Sequence, residues 1–459
     1  MISPRASARY WAAAGGAACG VVARGGAACG IALLAVMLTA VPLDAALTPE
    51  QRQLNIQSFE YVWTAIRDKH WQTAPGGLDW QAIHDEFRPK METADSMDAA
   101  RAVMNEMLGR LHQTHFGIVP GEIYSNELYA KAGAANAADA TTGLDVRVVG
   151  AEVLVTSVEP NSSAYAQGVR PGWEILKIAD TDLAPVVAKL NQTYAGSTLR
   201  DLMLRRAILK RLEDTASPVK VEFLDATDKR VSKKLAAGQP QGDRVQFGYL
   251  YPMQVWLNSF RVGGGNIGYV AFNAFLDAQR LMTGFGDAVQ ACEKCQGFIV
   301  DLRGNPGGIG VMAMGMAGWF IAQPDQKLGT LYMRDTTLKF VVNPRLATFE
   351  GPLAILVDGT SASTSEILAE GLKDLGRARI FGTRTAAAAL PSLFEKLPNG
   401  DGFQFAIANY ISEGGQPLEG VGVTPDVEAP VTRQALLAGK DPALDAAVAW
   451  IKSQKQARQ

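Results

Sequence analysis

The stretch from Val357 to Leu372, V-D-G-T-S-A-S-T-S-E-I-L-A-E-G-L, constrains this chain more than any other. An apolar run, Leu353-Ala-Ile-Leu-Val357, stops at Asp358-Gly359. Ser361, Ser363 and Ser365 follow at alternate positions, and a helical pattern begins at Glu366. The pattern predicts a strand, a tight turn and a helix, with a hydroxyl held at the helix N-terminus. Free backbone N–H groups and the positive end of the helix dipole lie there. Two readings stand side by side. Ser and Thr are ordinary helix caps. A serine so placed can also be aimed at a carbonyl whose developing negative charge the same N–H groups hold.

With 459 residues the chain has room for two or three domains. Its 47 % hydrophobic and 20 % charged residues describe a globular protein. A formal net charge of -2, with no long run of Lys or Arg, excludes a nucleic-acid footprint. Residues 1–46 differ: Arg5, Arg9 and Arg24, no acid before Asp44, an apolar core from Gly30 to Val41, and small residues around Ala45-Ala46. That is the layout of a secretory signal. An uncleaved membrane anchor is the other reading, because residues 25–43 lack charge and nearly reach spanning length. Export favours a local disulfide between Cys292 and Cys295 over a reduced thiol site, and one C-x-x-C is a poor zinc motif.

Along the chain, Thr48-Pro49-Glu50-Gln51 carries a capping-box pattern with Pro at the first helical position. Phe59, Val62, Trp63 and Ile66 recur at helical spacing. A second helix is expected from about Asp79, with Trp80, Ile83 and Phe87 on one face. A third runs from Ser96 to about Leu111 and buries Ala100, Val103, Met104, Met107 and Leu111. The three read as a helical domain over 47–123, ending in the loop His112-Gln-Thr-His115-Phe-Gly-Ile-Val-Pro120. The spacing of His112 and His115 would suit a metal, but no third ligand follows nearby. A histidine here is otherwise structural, or a base for a serine brought from far along the chain. Residues 124–141 are small and polar and predict a linker or flap.

Thr142-Gly143-Leu144-Asp145-Val146 and Val153-Leu-Val-Thr-Ser-Val158 then read as strands, Leu202, Leu204, Ile208 and Leu212 as a helix face, and Val219–Leu224 as a further strand. This order resembles a PDZ domain of the type found in bacterial proteases. The resemblance implies that Gly143-Leu144 holds a peptide C-terminus, with the helix around 199–212 lining the groove and the peptide adding a strand. A small β-domain that binds nothing is the alternative. From Asn266 the pattern turns to α/β. Strands are expected at Ile267–Phe272 and Gly297–Leu302, the second running into the glycine turn Arg303-Gly-Asn-Pro-Gly307-Gly308-Ile-Gly310. Such a turn presents N–H groups and admits close backbone approach. It is no phosphate loop, since no Gly-Lys-Ser/Thr follows.

The order of these parts resembles the C-terminal processing peptidases. V-D-L-R-G-N-P-G-G, S-A-S-T-S-E-I-L and G-V-G-V-T-P-D are similar to that family's markers, over roughly residues 50–430. The resemblance implies an α/β fold class: a crotonase-like serine peptidase core at 250–430, an N-terminal helical domain, an inserted PDZ-like β-domain at 142–240, and a C-terminal helix at 431–459. It makes Ser363 the nucleophile and leaves Ser361 and Ser365 as turn and cap residues. In the better-known branch a lysine beyond the next strand is the base, but Ala388 stands in its place here. The other, tricorn-like branch uses Ser–His–Glu. Thr114-His115 fits its histidine, and Glu419-Gly-Val-Gly422-Val423 fits its glutamate.

The resemblance therefore implies an exported serine endopeptidase acting on proteins or peptides. Ser363 attacks, His115 moves the proton, Glu419 orients the imidazole and Thr114 supports that pair. Thr364 and the Gly307-Gly308 turn supply the oxyanion hole, and neither metal nor organic cofactor is needed. Two other classes stay open at this point: an inactive scaffold whose PDZ groove still binds, and a crotonase-like activity on small esters.

Overall fold

A computed structural model of the chain describes residues 47–124, 141–215, 217–250 and 252–456. The expected signal at 1–46 lies outside the described residues, as does most of the expected linker at 124–141. Among the described residues, no helix is long and apolar enough to cross a membrane.

Three helices open the chain: α1 (Pro49–Lys69), α2 (Trp80–Thr93) and α3 (Met97–Gly109). Their starts follow from capping chemistry, with Thr48, Asp79 and Ser96 accepting from the N–H groups of Gln51, Ala82 and Ala99. The indoles of Trp63 and Trp80 each donate to the other's backbone carbonyl, at 2.8 and 3.0 Å, and fasten α1 to the start of α2. Val103 and Ile83 are only partly buried, so the helix faces are narrower than the sequence suggested. Strand β1 (Gly117–Val119) follows.

A second set of strands comprises β2 (Leu144–Val149), β3 (Glu152–Val158), β4 (Glu174–Ile178), the short β5 (Thr181–Asp182), β6 (Val219–Leu224) and β7 (Arg230–Leu235). They form an antiparallel sheet ordered β2-β3-β4-β6-β7 with β5 beside β4. Its core receives Leu183 and Val187 from α4 (Leu183–Thr193) and Leu204, Ile208 and Leu212 from α5 (Arg200–Asp214). Helix α4 was not anticipated. β2 is an edge strand of this sheet, and α5 packs beside it.

The largest core is built on β10 (Leu257–Val262), β11 (Ile267–Phe272), β12 (Gly297–Asp301), β15 (Leu353–Val357), β16 (Ala378–Gly382) and β20 (Val427–Glu428), side by side in that order. β10 is antiparallel to β11 and every other pairing is parallel. Every residue of β12 and β15 is buried, as strands covered on both faces require. One face packs against Phe285 of α6 (Ala278–Gln290), Met316 of α7 (Val311–Ala317) and Leu368 and Leu372 of α8 (Thr364–Asp374). The other is covered by Ala447 and Ile451 of α9 (Pro442–Gln456). Cys292 and Cys295, between α6 and β12, are joined by a disulfide.

The remaining strands make smaller sheets, one of which pairs β8 (Asp243–Val245) with β9 (Met253–Val255). β13 (Lys327–Met333) joins β14 (Thr337–Val341) and β19 (Ala408–Ser412). β17 (Ser392–Lys396) and β18 (Gly402–Ala406) pair with β1, in the order β1-β18-β17. Leu397, Phe403 and Phe405 of that last sheet share one hydrophobic core with Phe59, Ile66, Phe87 and Met104 of the opening helices. The hairpin between β17 and β18 turns on Asp401, which is 1 % exposed. It accepts from Arg101 of α3 at 2.8 Å, from the Gly121 N–H at 2.8 Å and from Asn399 Nδ2 at 3.1 Å.

Removing a partner from a buried, hydrogen-bonded ion pair leaves the other charge uncompensated. Asp401→Ala is therefore expected to lower unfolding stability by about 3 kcal/mol, read from the denaturant midpoint. A loss below about 0.5 kcal/mol, the scale of a surface pair, would contradict this role.

Candidate active site

In open α/β sheets ligands gather outside the carboxyl ends of the parallel strands. Here the ends of β12, β15 and β16 bring together the glycine turn, the serine turn and residues 383–391. Asp358, just past β15, ties the first two. Its Oδ1 accepts from the N–H of Gly304 at 3.2 Å and of Thr360 at 2.9 Å, and its Oδ2 accepts from Arg147 Nε of β2 at 2.8 Å. Burial pushes this carboxyl up, but Arg147 and Thr360 outweigh it and hold the pKa at about 2.

The three serines divide their work. Ser361 Oγ donates to Leu302 O at 2.7 Å and Ser365 Oγ to Asn305 O at 2.9 Å, so both buried hydroxyls pin the serine turn to the glycine turn. Ser363 sits between them at φ 55° and ψ -117°, a conformation that costs an L-residue energy and persists only where its surroundings hold it. Its N–H is shared between Ala388 O and Glu366 Oε2, both at 2.8 Å.

Gly307 lies against this turn. A Cβ on it would stand 2.7 Å from Ser363 Cβ and 2.8 Å from Thr364 N, closer than real atoms pack. Its own N–H donates to Asn305 Oδ1 at 2.9 Å. Gly307 thus gives the turn an absent side chain rather than a free donor. Among the described residues, the N–H groups of Gly308 and Thr364 find no acceptor. The Thr364 hydroxyl donates to Gly308 O at 2.9 Å and holds the two segments together.

His115 reaches the same region from the end of α3, at φ 62°. Strand β1, two residues on, pairs with β18 and fixes the loop's exit. His115 Nδ1 is 2.7 Å from Thr114 Oγ1, which donates to Glu419 Oε2 at 2.8 Å. Glu419 also accepts from the N–H of Thr114 at 2.8 Å and of Ala389 at 3.1 Å. A carboxylate only accepts, so the hydroxyl proton lies toward Glu419 and its lone pair faces Nδ1. That makes Nδ1 the protonated nitrogen and leaves the Nε2 lone pair free. The resemblance had Thr114 support the His115–Glu419 pair, and its hydroxyl stands between the two. Burial lowers the His115 pKa to about 4, and burial raises that of Glu419. His112 is exposed.

Ala388 is buried beside Ser363, and its N–H donates to Glu366 Oε2 at 3.1 Å. Lys373 donates to Thr424 O at 2.8 Å, and Lys396 is exposed on β17. Gly143 and Leu144 lie apart from these groups, at the start of β2. The Gly143 N–H donates to Thr141 Oγ1 at 3.1 Å, and Leu144 is buried. Sequence reasoning missed Asn305, Asp358 and Arg147, each of which also bonds a group remote in sequence. Glu366 had a local signal, since Ser363-Thr-Ser-Glu366 is a capping-box pattern.

Residues 266–429 match the model of peptidase family S41, and residues 54–109 that of the tricorn protease C1 domain. The likeness to peptidase family S41 thus lies on the stretch that holds both the glycine turn and the serine turn. The carboxyl-terminal-processing protease of Picosynechococcus sp. is 25 % identical over 418 residues, covering 87 % of this chain and 88 % of that one. Tricorn protease homolog 1 of Streptomyces coelicolor is 24 % identical over 86 % of this chain and 34 % of its own length. Among solved structures, the photosystem II D1 C-terminal processing protease superposes with a TM-score of 0.53 at 20 % identity, covering 88 % of this chain and 97 % of that one. Mature CPAF, solved in complex with lactacystin, gives 0.60 at 14 % identity, over 89 % and 99 %. At these identities the structural likeness is one of fold. The matched family is one of serine-type hydrolases, and the matched residues include Ser363.

Gly307→Ala is expected to cost about 1–3 kcal/mol, from overpacking and a positive φ together. Thermal unfolding checks it, and an unchanged melting temperature would show that the turn tolerates the extra carbon.

Proposed function

We propose that the protein is an exported serine endopeptidase that uses Ser363, His115 and Glu419, with Thr114 relaying between the last two. One observation carries this reading. The hydrogen-bonded series His115–Thr114–Glu419–Ala389 ends on the residue next to Ala388, whose carbonyl accepts from the Ser363 N–H. The groups of a proton relay and of a nucleophile turn thereby meet in one short segment. Alanine in the place of the lysine of the Ser–Lys branch supports the same choice, because it cannot take a proton.

In this mechanism Ser363 Oγ attacks the scissile carbonyl carbon as its proton passes to His115 Nε2. The tetrahedral oxyanion is held by the N–H groups of Thr364 and Gly308, each donor typically worth roughly 10²–10³ in rate. Collapse breaks the C–N bond, and the imidazolium gives its proton to the leaving amine. Water, deprotonated by the same imidazole, then releases the acyl group and restores Ser363. Glu419 acts on the imidazole through the Thr114 hydroxyl, which accepts from Nδ1–H.

The central core is proposed to be crotonase-like and the β2–β7 sheet with α5 to be a PDZ-like insert at 142–240. An edge strand beside a helix is the geometry by which such units add a peptide strand, and the relatives' name, carboxyl-terminal processing, fits capture of a substrate C-terminus near Gly143 and Leu144. Export is proposed from the character of residues 1–46, and the Cys292–Cys295 disulfide is compatible with it.

A fluorophosphonate probe on the purified protein is expected to label Ser363 and to lose all labelling in Ser363→Ala. Labelling in His115→Ala should fall by about 10³-fold or more, as removal of a triad base does. Labelling that survives Ser363→Ala, or is unchanged by His115→Ala, would sink the proposal. Thr114→Val, which removes the relaying hydroxyl, is expected to lower kcat by about 10–10² and leave KM within a few-fold. A fall in KM-controlled binding alone would remove Thr114 from the relay.

The pKa of about 4 for His115 gives a second check. The unfolded chain takes up this proton at about 6.5. Between those values the unfolded state binds more protons, so stability falls as pH drops from about 6.5 to about 4. Imidazole nitrogen shifts, assigned by comparison with His115→Ala, should show the neutral Nδ1–H form down to about pH 5. Protonation near 6.5 would contradict it.

A further inference from the structure

Glu366 is 0 % exposed, and no ion-pair partner for it occurs among the described residues. Four donors converge on its two oxygens. Oε1 accepts from the Thr385 hydroxyl at 2.5 Å and the Ala387 N–H at 2.8 Å; Oε2 accepts from the N–H of Ser363 at 2.8 Å and of Ala388 at 3.1 Å. A capping box needs one such bond, and a glutamine could make it. Burial pushes the carboxyl up to about 7 even against these donors, so a charge here is a poor way merely to cap a helix. Only a carboxylate offers two acceptor oxygens to four donors at once.

The next N–H in the chain, that of Ala389, goes to Glu419. Three successive amides therefore bridge the buried carboxylate of Glu366 and the half-buried one of Glu419. Those of Ala387 and Ala388 hold Glu366, and that of Ala389 holds the glutamate that orients His115 through Thr114. Ala386, Ala387, Ala388 and Ala389 are each at most 4 % exposed, and Ala387 has φ 55°. Methyl side chains let this strip pass between the serine turn and Glu419.

We infer that Glu366 is a positioning residue for the reaction: through the amides of Ala387–Ala389 it sets the strained Ser363 turn and the Glu419–Thr114–His115 relay in register. The inference rests on the function proposed above and names a residue that acts on both of its halves. Glu366 does not touch the reacting atoms. Its effect appears as coupling between the two ends of the strip.

The test is a double-mutant cycle on peptide hydrolysis, with each variant confirmed folded by near-ultraviolet circular dichroism at the assay temperature. In Glu366→Gln, an NH₂ group faces two N–H or O–H donors, and kcat is expected to fall by about 10²-fold with KM within about threefold. Glu419→Gln lowers kcat by itself. If the strip couples the sites, Glu366→Gln/Glu419→Gln should fall within about tenfold of the slower single variant, since residues acting as a unit are not additive. A double variant whose loss is the product of the two single losses would overturn the inference, as would a folded Glu366→Gln with wild-type kcat. Should Glu366→Gln not fold, Thr385→Val replaces it in the cycle. It removes the hydroxyl donor, and the same non-additivity with Glu419→Gln supports the inference while additivity overturns it. Ser363→Ala and His115→Ala run alongside. Turnover that persists in either would defeat the proposed function itself, a result distinguishable from additivity in the cycle.

Discussion

The ion pair between Arg101 and Asp401 is the contact on which the rest of the arrangement depends. Asp401 sits in the turn of a hairpin some three hundred residues from its partner, and it also holds the Gly121 N–H just past β1. Around it, aromatic side chains from β18 complete the core of helices that could not bury their own apolar faces. The opening helices are therefore not an appendage. Their packing delivers β1 to β18, and β1 in turn delivers the loop that carries Thr114 and His115.

Local chemistry made part of this legible beforehand. The strand, turn and helix at 353–374 follow from an unbroken apolar run, a glycine and a Ser-x-x-Glu cap, all within one window of sequence. The glycine turn after β12 was readable for the same reason. What could not be read was any contact between distant segments. The insertion of the Thr114 hydroxyl between His115 and Glu419 depends on how two loops approach, as does the seating of the Ser361 and Ser365 hydroxyls on the carbonyls of Leu302 and Asn305. Helix α4 was missed because Asp180-Thr-Asp182 and Pro185 look like a turn, while its burial of Leu183 and Val187 is a property of the sheet beneath. The order of motifs carried the resemblance to the processing peptidases, where no single motif's spacing could have linked the Thr114–His115 loop to Glu419.

The sheet that carries β2 is not independent of the serine turn either. Arg147 on its edge strand makes a half-buried pair with Asp358, and Asp358 holds the amides of both the glycine and serine turns. A carboxylate kept ionised by a neighbouring guanidinium is a firm acceptor. The geometry at the carboxyl ends of β12 and β15 thus draws on two separate hydrophobic cores, one supplying Arg147 and the other Asp358.

Arg303, in the glycine turn, has a further partner. Its guanidinium lies between Asp301 and Asp441, the latter 138 residues further along and next to the start of α9. During synthesis the turn is made well before that aspartate exists, and so is the helix that covers the far face of β12 and β15. Domains form as their parts emerge. A growing chain that already contains Ser363 still lacks the counter-charge and the apolar cover that finish the turn. The glycine turn therefore gains its last ionic partner and its far-side apolar cover only when residues near the end of the described chain have been made.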